Sequence, residues 1–595
     1  MAKKKNDETI NNESNLISSD PNVPRPRLHK LIIKNFRAIG NVPVEIELDE
    51  IVVLVGPNNV GKSSILRAYQ VVMNQGSNEG KLSIEDFPHG IVDEKKYPQV
   101  ELQTIVHDNS PGEEWIYLTE NGEKLVREMW TWKSPNANPI RQGYNIGKKD
   151  WDDRVPWGAP NIAKSRRPIP HHIDAFASPE AQAQELIKIL QSLLIERLKA
   201  YKNTDNDKDN KSDYHLLLDK VSELQNKIVS ETQEEIEKIE TEISIILSKV
   251  FPKYKVKFDA KPDSDIEKSL NLFKANPDLR MGPEDGYLSK VEQQGSGARR
   301  TLLWTTLRFL AESSNKNSGQ ENTRPHVLLI DEPEICLHPN AIRECRRVLY
   351  ELPKTNNWQV MITTHSPIFI DLSYDNTTII RVDTTSDGII KGTTLYRPQL
   401  VQLDADDKAN LKLLNICDPY VNEFFFGGNI IVVEGDTEYT AFCHIKSLYP
   451  DLYNNTQVIR ARGKATIVSL IKILNHFSTN YSVLHDCDLP IISSGKNPAW
   501  SINDKILTEI KLNVNGKTRL MACIYNFEKA FFGKTVGIDK PYNALHNIKT
   551  DSNVKNKIKM LFDSLINFDN SPPAGVIEWK QIDDLKIAVE KVNAS

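Results

Sequence analysis

The sequence predicts an α/β protein made of two successive sheet units, and three observations predict it. The continuous β-branched run Ile51-Val52-Val53-Leu54-Val55 ends in a glycine-rich turn and leads at once into a helix from Lys62 to about Met73, as a buried strand of a mixed or parallel sheet does. Strand-like runs recur at 327–330, 360–363 and 379–382, each followed by polar or helical sequence, as a doubly wound sheet requires. A fresh apolar strand, Asn429–Val433, then opens a second α/β unit, with the boundary placed near Val401.

Taken in order, residues 28–36 and 44–48 alternate like strands, and 100–106 and 115–118 suggest two more. Residues 130–170 are rich in Pro, Trp, Asn and Gly without a clear period and are expected to be loops. From Ser178 the pattern turns helical, with Leu186, Leu190, Leu193 and Leu194 on one side, until a polar break at 203–212. A second helical stretch covers 214–250, where Ile236, Ile239, Ile243, Ile246 and Val250 build an apolar seam. That seam suits either a dimer arm or packing within its own domain. Residues 404–415 read as a polar connection into the second unit.

Composition restricts what the motifs can mean. At 595 residues and 67.6 kDa the chain exceeds what one core usually supports, so two or more domains are expected. Hydrophobic residues at 39% and charged residues at 26% are ordinary for a globular protein, and no apolar run approaches a membrane span. Residues 1–27 lack the apolar core of a secretory signal and read as a disordered tail. Six cysteines without paired metal-ligand spacing fit a reducing cytoplasm best. A net charge of −5 exerts no global pull on nucleic acid, so such binding needs a local basic surface or a metal-bridged phosphate.

Gly56-Pro57-Asn58-Asn59-Val60-Gly61-Lys62-Ser63-Ser64 sits between the buried strand and its helix. In that context backbone N–H groups around Gly56, Asn58, Asn59 and Gly61 close on phosphates at a helix N-terminus, Lys62 adds a cation, and Ser63, with Ser64 beside it, offers a hydroxyl to Mg²⁺. Asp331 and Glu332 end an apolar strand, where Asp331 would hold Mg²⁺ and Glu332 would orient or deprotonate an attacking water. His365, in Thr364-His365-Ser366, ends another strand within reach of a γ-phosphate, although a lone histidine is more often structural. Ser296 and Gly297, in Gly295-Ser296-Gly297, open an apolar helix suited either to gripping a phosphate from outside or to a flexible cap.

A second constellation follows. Glu434 ends the Asn429–Val433 strand and Glu438 begins the next helix, while Asp486 and Asp488 end a later strand. In extended chain the two aspartates point to one side and can approach one cation. Hard oxygen ligands suit Mg²⁺ or Mn²⁺, and two such ions can clamp the attacking and leaving oxygens of a phosphodiester. An acidic cluster without metal is the competing reading of either half alone. Arg460, Arg462 and Lys464 flank Gly463 and suit either a DNA backbone or a solvated basic turn.

The first motif set occurs in the order found in ABC-type ATPases of the SMC and RecF kind, and Glu434 with Asp486-Cys487-Asp488 resembles the TOPRIM fold. An ABC-type head followed by TOPRIM resembles the overcoming-lysogenisation-defect (OLD) family of nucleases, including Gabija-type and retron-associated antiviral effectors, over most of residues 28 to 550. The resemblance implies an ATPase head with first part 28–177 and second part 251–400, a helical insertion at 178–250 as a possible dimerisation region, and a TOPRIM nuclease domain with a C-terminal extension at 401–595. It also implies that residues 524–528 form a late strand whose Glu528 completes a second metal site, and that Lys540 stabilises the scissile phosphate, with Lys529 and Lys534 as rivals. ATP and Mg²⁺ or Mn²⁺ are the implied cofactors. DNA, a second copy in a homodimer or higher even oligomer, and a co-encoded reverse transcriptase or helicase are the implied partners. The function expected is a DNA endonuclease or nickase of an antiphage system. The alternative is an SMC-like ATP-gated DNA clamp without nuclease activity.

Overall fold

The computed structural model describes residues 27–174, 178–184, 186–187, 220, 223, 279–282, 286–316, 325–355, 358–372, 374, 377–384, 389–390, 394–397, 400–401, 403–493, 495–533 and 538–594. The seam at 236–250 lies outside the described residues. The chain divides into two compact units, one built mainly from Val23–Phe176 and Arg324–Ser595, the other from Ala177–Thr323.

The first unit holds three main sheets. An antiparallel sheet runs in the order Val44–Glu47, Arg27–Lys34, Gln99–Val106, Lys124–Thr131, Ile140–Asn145 and Asp150–Asp152, with Ile116–Leu118 paired to the fourth strand. The stretch expected to be loops thus contributes the strands Ile140–Asn145 and Asp150–Asp152 to this sheet, and it goes on to the helix Pro160–Ser165 and the strand Ile169–Ile173. Its period was masked because polar residues are among those turned inward. Glu128 is buried between Arg141 and Arg167, each 2.6 Å from one of its carboxylate oxygens, and Arg167 also lies 4.8 Å from the Trp130 ring centre. Two guanidinium groups satisfy this buried carboxylate, and removing one partner would strand the rest.

The second sheet is the nucleotide-type one, in the order Thr394–Tyr396, Thr377–Arg381, Ile51–Val55, Trp358–Thr363, His326–Asp331 and Ile169–Ile173. Every strand pair is parallel except the first, which is antiparallel. All five residues of Ile51–Val55 are buried, in keeping with an unbroken apolar run in the middle of a covered sheet. The core joins this sheet to the helix Lys62–Met73 and to the antiparallel sheet, through Leu54, Ile65, Leu329, Leu31 and Trp130.

The third sheet has the order Thr456–Arg460, Asn429–Val433, Tyr481–Asp486, Thr518–Cys523 and Val576–Glu578, parallel except for the last strand. The segment read as a polar connection is the helix Ala405–Cys417. Its polarity is a capping device: Asp404 accepts from the Asp407 backbone N–H at 2.8 Å, and Asp407 accepts in return from Asp404 at 3.2 Å. No helix among the described residues is long and apolar enough to cross a membrane.

In the second unit, Ala183 and Leu186 are buried where the helical pattern begins. Ser296 and Gly297 open the helix Ser296–Lys316, as expected.

Candidate functional site

The phosphate-type loop follows the central strand Ile51–Val55. Gly56 and Gly61 have φ of 142° and 88°, and a Cβ on Gly56 would overlap the Val382 carbonyl, so the loop closes in a way other residues resist. Asn59 also takes a left-handed backbone, and Ser64 N donates to Gly61 O at 3.0 Å as the helix begins. Lys62 is buried and donates to the carbonyls of Pro57 at 2.9 Å and Gly56 at 3.1 Å. Burial lowers its pKa to about 8 against the opposing pull of Glu332, Asp331 and Glu334.

The neighbouring strands carry the companions. Ser63 Oγ donates to Asp331 at 3.0 Å, and Thr363 Oγ donates to the same oxygen. Glu332 takes a left-handed backbone, φ 48°, fastened by its N–H to Thr363 O at 3.1 Å, and its carboxylate lies 3.6 Å from His365 Nε2. A non-glycine residue held there is strained, a condition that gathers at functional sites. Glu334 was missed by sequence reasoning, although it stands two residues beyond Glu332. Its carboxylate accepts from the His365 N–H at 2.7 Å and the Thr364 hydroxyl at 2.9 Å, so it shapes the histidine turn. Burial pushes the Glu334 pKa up and, aided by Lys62, pushes that of His365 down. These groups fit a magnesium-bound triphosphate: a cation, a hydroxyl beside a carboxylate, and a second carboxylate paired with an imidazole. Ser296 and Gly297 lie in the other unit.

The acidic centre forms at the C-terminal ends of two adjacent parallel strands, Asn429–Val433 and Tyr481–Asp486. Glu434 accepts from the Asp486 N–H at 3.0 Å, which pins the end of one strand to the next. Asp486 in turn accepts from the Phe527 N–H at 2.8 Å. Glu438 lies in the first turn of the helix Asp436–Leu448, 4% exposed, as the four-residue spacing from Glu434 requires.

Two expectations need correction. The extended chain stops at Asp486, and Asp488 takes a left-handed backbone, φ 61°, with its N–H on Tyr525 O at 3.0 Å. Glu528 lies in the helix Phe527–Phe532, one element beyond the strand Thr518–Cys523. Asn526 caps that helix, and this cap turns the chain before Glu528 is reached.

Burial and mutual repulsion govern the charge of the centre. The Glu438 pKa is pushed up to about 7 by burial, with Glu434 and Glu528 adding to it. Burial raises that of Asp486, with Glu438, Glu434, Glu528 and Asp488 adding, and burial also raises Glu434 against the pull of Lys464. Two lysines enter: buried Lys464 pairs with Asp488, and half-exposed Lys540 reaches Glu528 at 3.2 Å. Lys529 is exposed and bonds weakly to Gly533 O at 3.5 Å, and Lys534 lies outside the described residues. Arg460 is held by Asp436 at 2.6 Å, and Arg462 is exposed.

Among the described residues, no three His, Cys, Asp or Glu side chains already converge on one metal-holding point. Asp488 and Glu528 are turned toward their lysines. The donor set nonetheless fits a hard divalent cation. Every candidate ligand is a carboxylate, the cluster repels its own charge, and Glu528 Oε2 is buried with no hydrogen-bond partner among the described residues.

Comparison with known proteins agrees with both halves. A family model described as AAA_15, AAA ATPase domain, matches residues 27–224 and 174–370, together more than half of the chain. A second, described as overcoming lysogenization defect protein-like, TOPRIM domain, matches residues 425–488. The Old nuclease of Escherichia phage P2 is 23% identical over 84% of this chain and 85% of its own length. The OLD nuclease of Thermus scotoductus is 23% identical over 88% of this chain and 95% of its own. Among solved structures, the Smc head bound to the C-winged helix domain of ScpA covers 63% of this chain at 16% identity with a TM-score of 0.34, and the SMC head domain from Thermotoga maritima covers 62% at 15% with a TM-score of 0.27. These matches favour the expected nuclease over the alternative of a clamp without nuclease activity. By its ATPase domain the chain belongs to the AAA_15 family, and with the OLD-like TOPRIM domain joined to it, it is an OLD-family nuclease.

Proposed function

We propose that this nuclease is a Mg²⁺- or Mn²⁺-dependent DNA endonuclease or nickase of a cytoplasmic antiphage system, with cutting at the acidic centre governed by ATP in the head. The observation that carries the reading is the gathering of Glu434, Glu438, Asp486 and Glu528 in one buried, self-repelling cluster at the ends of neighbouring strands. Divalent ions bound there would supply a polarised phosphate and an activated water. Glu434, Glu438, Asp486, Asp488 and Glu528 would hold them. Glu434 is fixed by the Asp486 N–H and Asp486 by the Phe527 N–H, so the two are oriented in advance. Lys540, half-exposed at the edge, would meet the charge growing on the scissile phosphate.

In the head, Gly56, Asn58, Asn59, Gly61, Lys62, Ser63 and Ser64 would bind the phosphates, Asp331 would hold the magnesium, and Glu332 with His365 would order the attacking water. Ser296 and Gly297 would reach nucleotide on a second copy, which makes a homodimer or higher even oligomer the working form. A partner encoded beside it, a reverse transcriptase with its nucleic-acid product or a helicase, would supply the trigger.

The test is plasmid nicking by the purified full chain. Cutting is expected with Mg²⁺ or Mn²⁺, is expected to stop with EDTA, and is expected to be lost in Glu434→Ala while nucleotide binding stays. Equal cutting by parent and variant would remove the acidic centre from the chemistry. Plaque counts on cells carrying parent or variant test the defensive role.

A further inference from the structure

One short piece of chain joins the nucleotide pocket to the acidic centre. Pro419–Phe426 is an eight-residue 3-10 helix between the helix Ala405–Cys417 and the strand Asn429–Val433. Runs of this tight helix longer than three or four residues are uncommon, because its hydrogen bonds are poorly aligned, and such stretches often mark hinges.

On the ATPase side its attachments are to the parts that face nucleotide. The Phe426 ring lies 6.0 Å from the His365 imidazole, centre to centre. Gly427 abuts the phosphate loop, since a Cβ there would meet the Pro57 ring at 3.3 Å. Asn422, fully buried, donates to Ile370 O at 3.0 Å and Pro367 O at 3.5 Å, in the segment that follows the histidine turn.

On the other side its attachments are to the acidic centre. Asp418 accepts from Arg460 Nη2 at 2.9 Å, and Arg460 Nη1 donates to Asp436 at 2.6 Å, two residues beyond Glu434. The Arg460 guanidinium also lies 4.9 Å from the centre of the Tyr439 ring, one residue past Glu438. Phe425 meets Phe477 edge-on at 5.1 Å, at the end of the helix that begins with Lys464. Two buried atoms on this path, Asn422 Oδ1 and Arg460 Nε, have no hydrogen-bond partner among the described residues. A buried polar atom left unpaired on a hinge is the kind of cost that a second arrangement relieves.

We propose that the 418–427 strap carries the state of the nucleotide pocket to Arg460, and that Arg460 is a positioning residue setting the Glu434–Glu438 turn against Asp486. The inference rests on the reading that ATP governs cutting. When His365 turns toward or away from bound triphosphate its ring changes its contact with Phe426. Asn422 ties the strap to the same loop, so the strap moves with it and draws Asp418 against Arg460.

The experiment measures plasmid nicking by the full chain with Mn²⁺, with and without ATP, for parent, Phe426→Ala and Asp418→Asn. The expected parent ratio is at least about fivefold in either direction, the lower end of ordinary site-to-site coupling. Both variants are expected to bind ATP, while their ratio of nicking with and without ATP falls to one. Asp418→Asn keeps the side-chain shape and stays informative if Phe426→Ala fails to fold. An unchanged ratio in the folded variants overturns the strap alone. A parent ratio of one overturns the ATP-governed reading and the strap with it.

Discussion

The nucleotide pocket and the acidic centre both sit where parallel strands end, yet they handle charge in opposite ways. In the pocket a buried lysine stands among three carboxylates, and Asp331 and Glu334 each accept bonds from hydroxyl or N–H donors. In the centre five carboxylates crowd together and the two lysines reach only Asp488 and Glu528. The first is organised before any ligand arrives. The second is a buried cluster of like charge, and burial, with mutual repulsion adding to it, raises the pKa values of Asp486, Glu434 and Glu438.

The sharpest way to break this contrast is Asp486→Asn. Cutting is expected to fall by at least about 10²-fold, the scale of removing one group that stabilises transition-state charge, with ATP affinity unchanged. Equal nicking rates would show that the two regions do not divide the labour. A smaller effect is expected from Lys62→Ala, which removes a charge-assisted contact of about 1.5–3 kcal/mol and should weaken ATP binding roughly 10- to 100-fold. Because burial holds Lys62 near 8, the ammonium is charged below that pH and is lost above it. Fluorescent-nucleotide titration should therefore show parent affinity falling from pH 7 to pH 9 by up to about tenfold, while Lys62→Ala stays flat. A flat parent profile would remove Lys62 from phosphate binding.

The smallest effect concerns stability without metal. A carboxylate with a raised folded pKa penalises the fold fully above that pKa, and the penalty vanishes below its unfolded value. Asp486→Asn should therefore melt higher than the parent at pH 8, by about 2–4 °C per kcal/mol relieved, with the gain shrinking toward pH 4. A variant that melts lower at pH 8 would mean that the cluster is already compensated.

Much of this was legible in the sequence because both sites hang on short, continuous motifs. The run from Ile51 through Ser63 and the run from Asn429 through Glu438 each specify strand, turn and helix within a dozen or so residues, and each forms as written. What escaped depends on distant partners. Residues 130–170 hid their strands because Arg141 and Asn145 are buried polar residues, and the partner that satisfies Arg141, Glu128, lies on a neighbouring strand and is shared with Arg167. Glu334 escaped notice because only the distant Thr364–His365 turn gives it its partners. The departure of Asp488 from extended chain follows from a bond to Tyr525, which no local pattern encodes.

The way the nucleotide-type sheet is threaded has a mechanical side. Strand Ile169–Ile173 pairs in parallel with His326–Asp331, so the chain leaves at one end of the sheet and returns at the other. A crossover of that kind takes about a dozen residues at minimum, and here the whole of 174–325 stands in its place. The parallel crossover is therefore where the second unit is inserted, and a splice joining Ile173 to His326 directly needs a helix-length bridge, since a tight turn cannot return the chain to the start of a parallel strand.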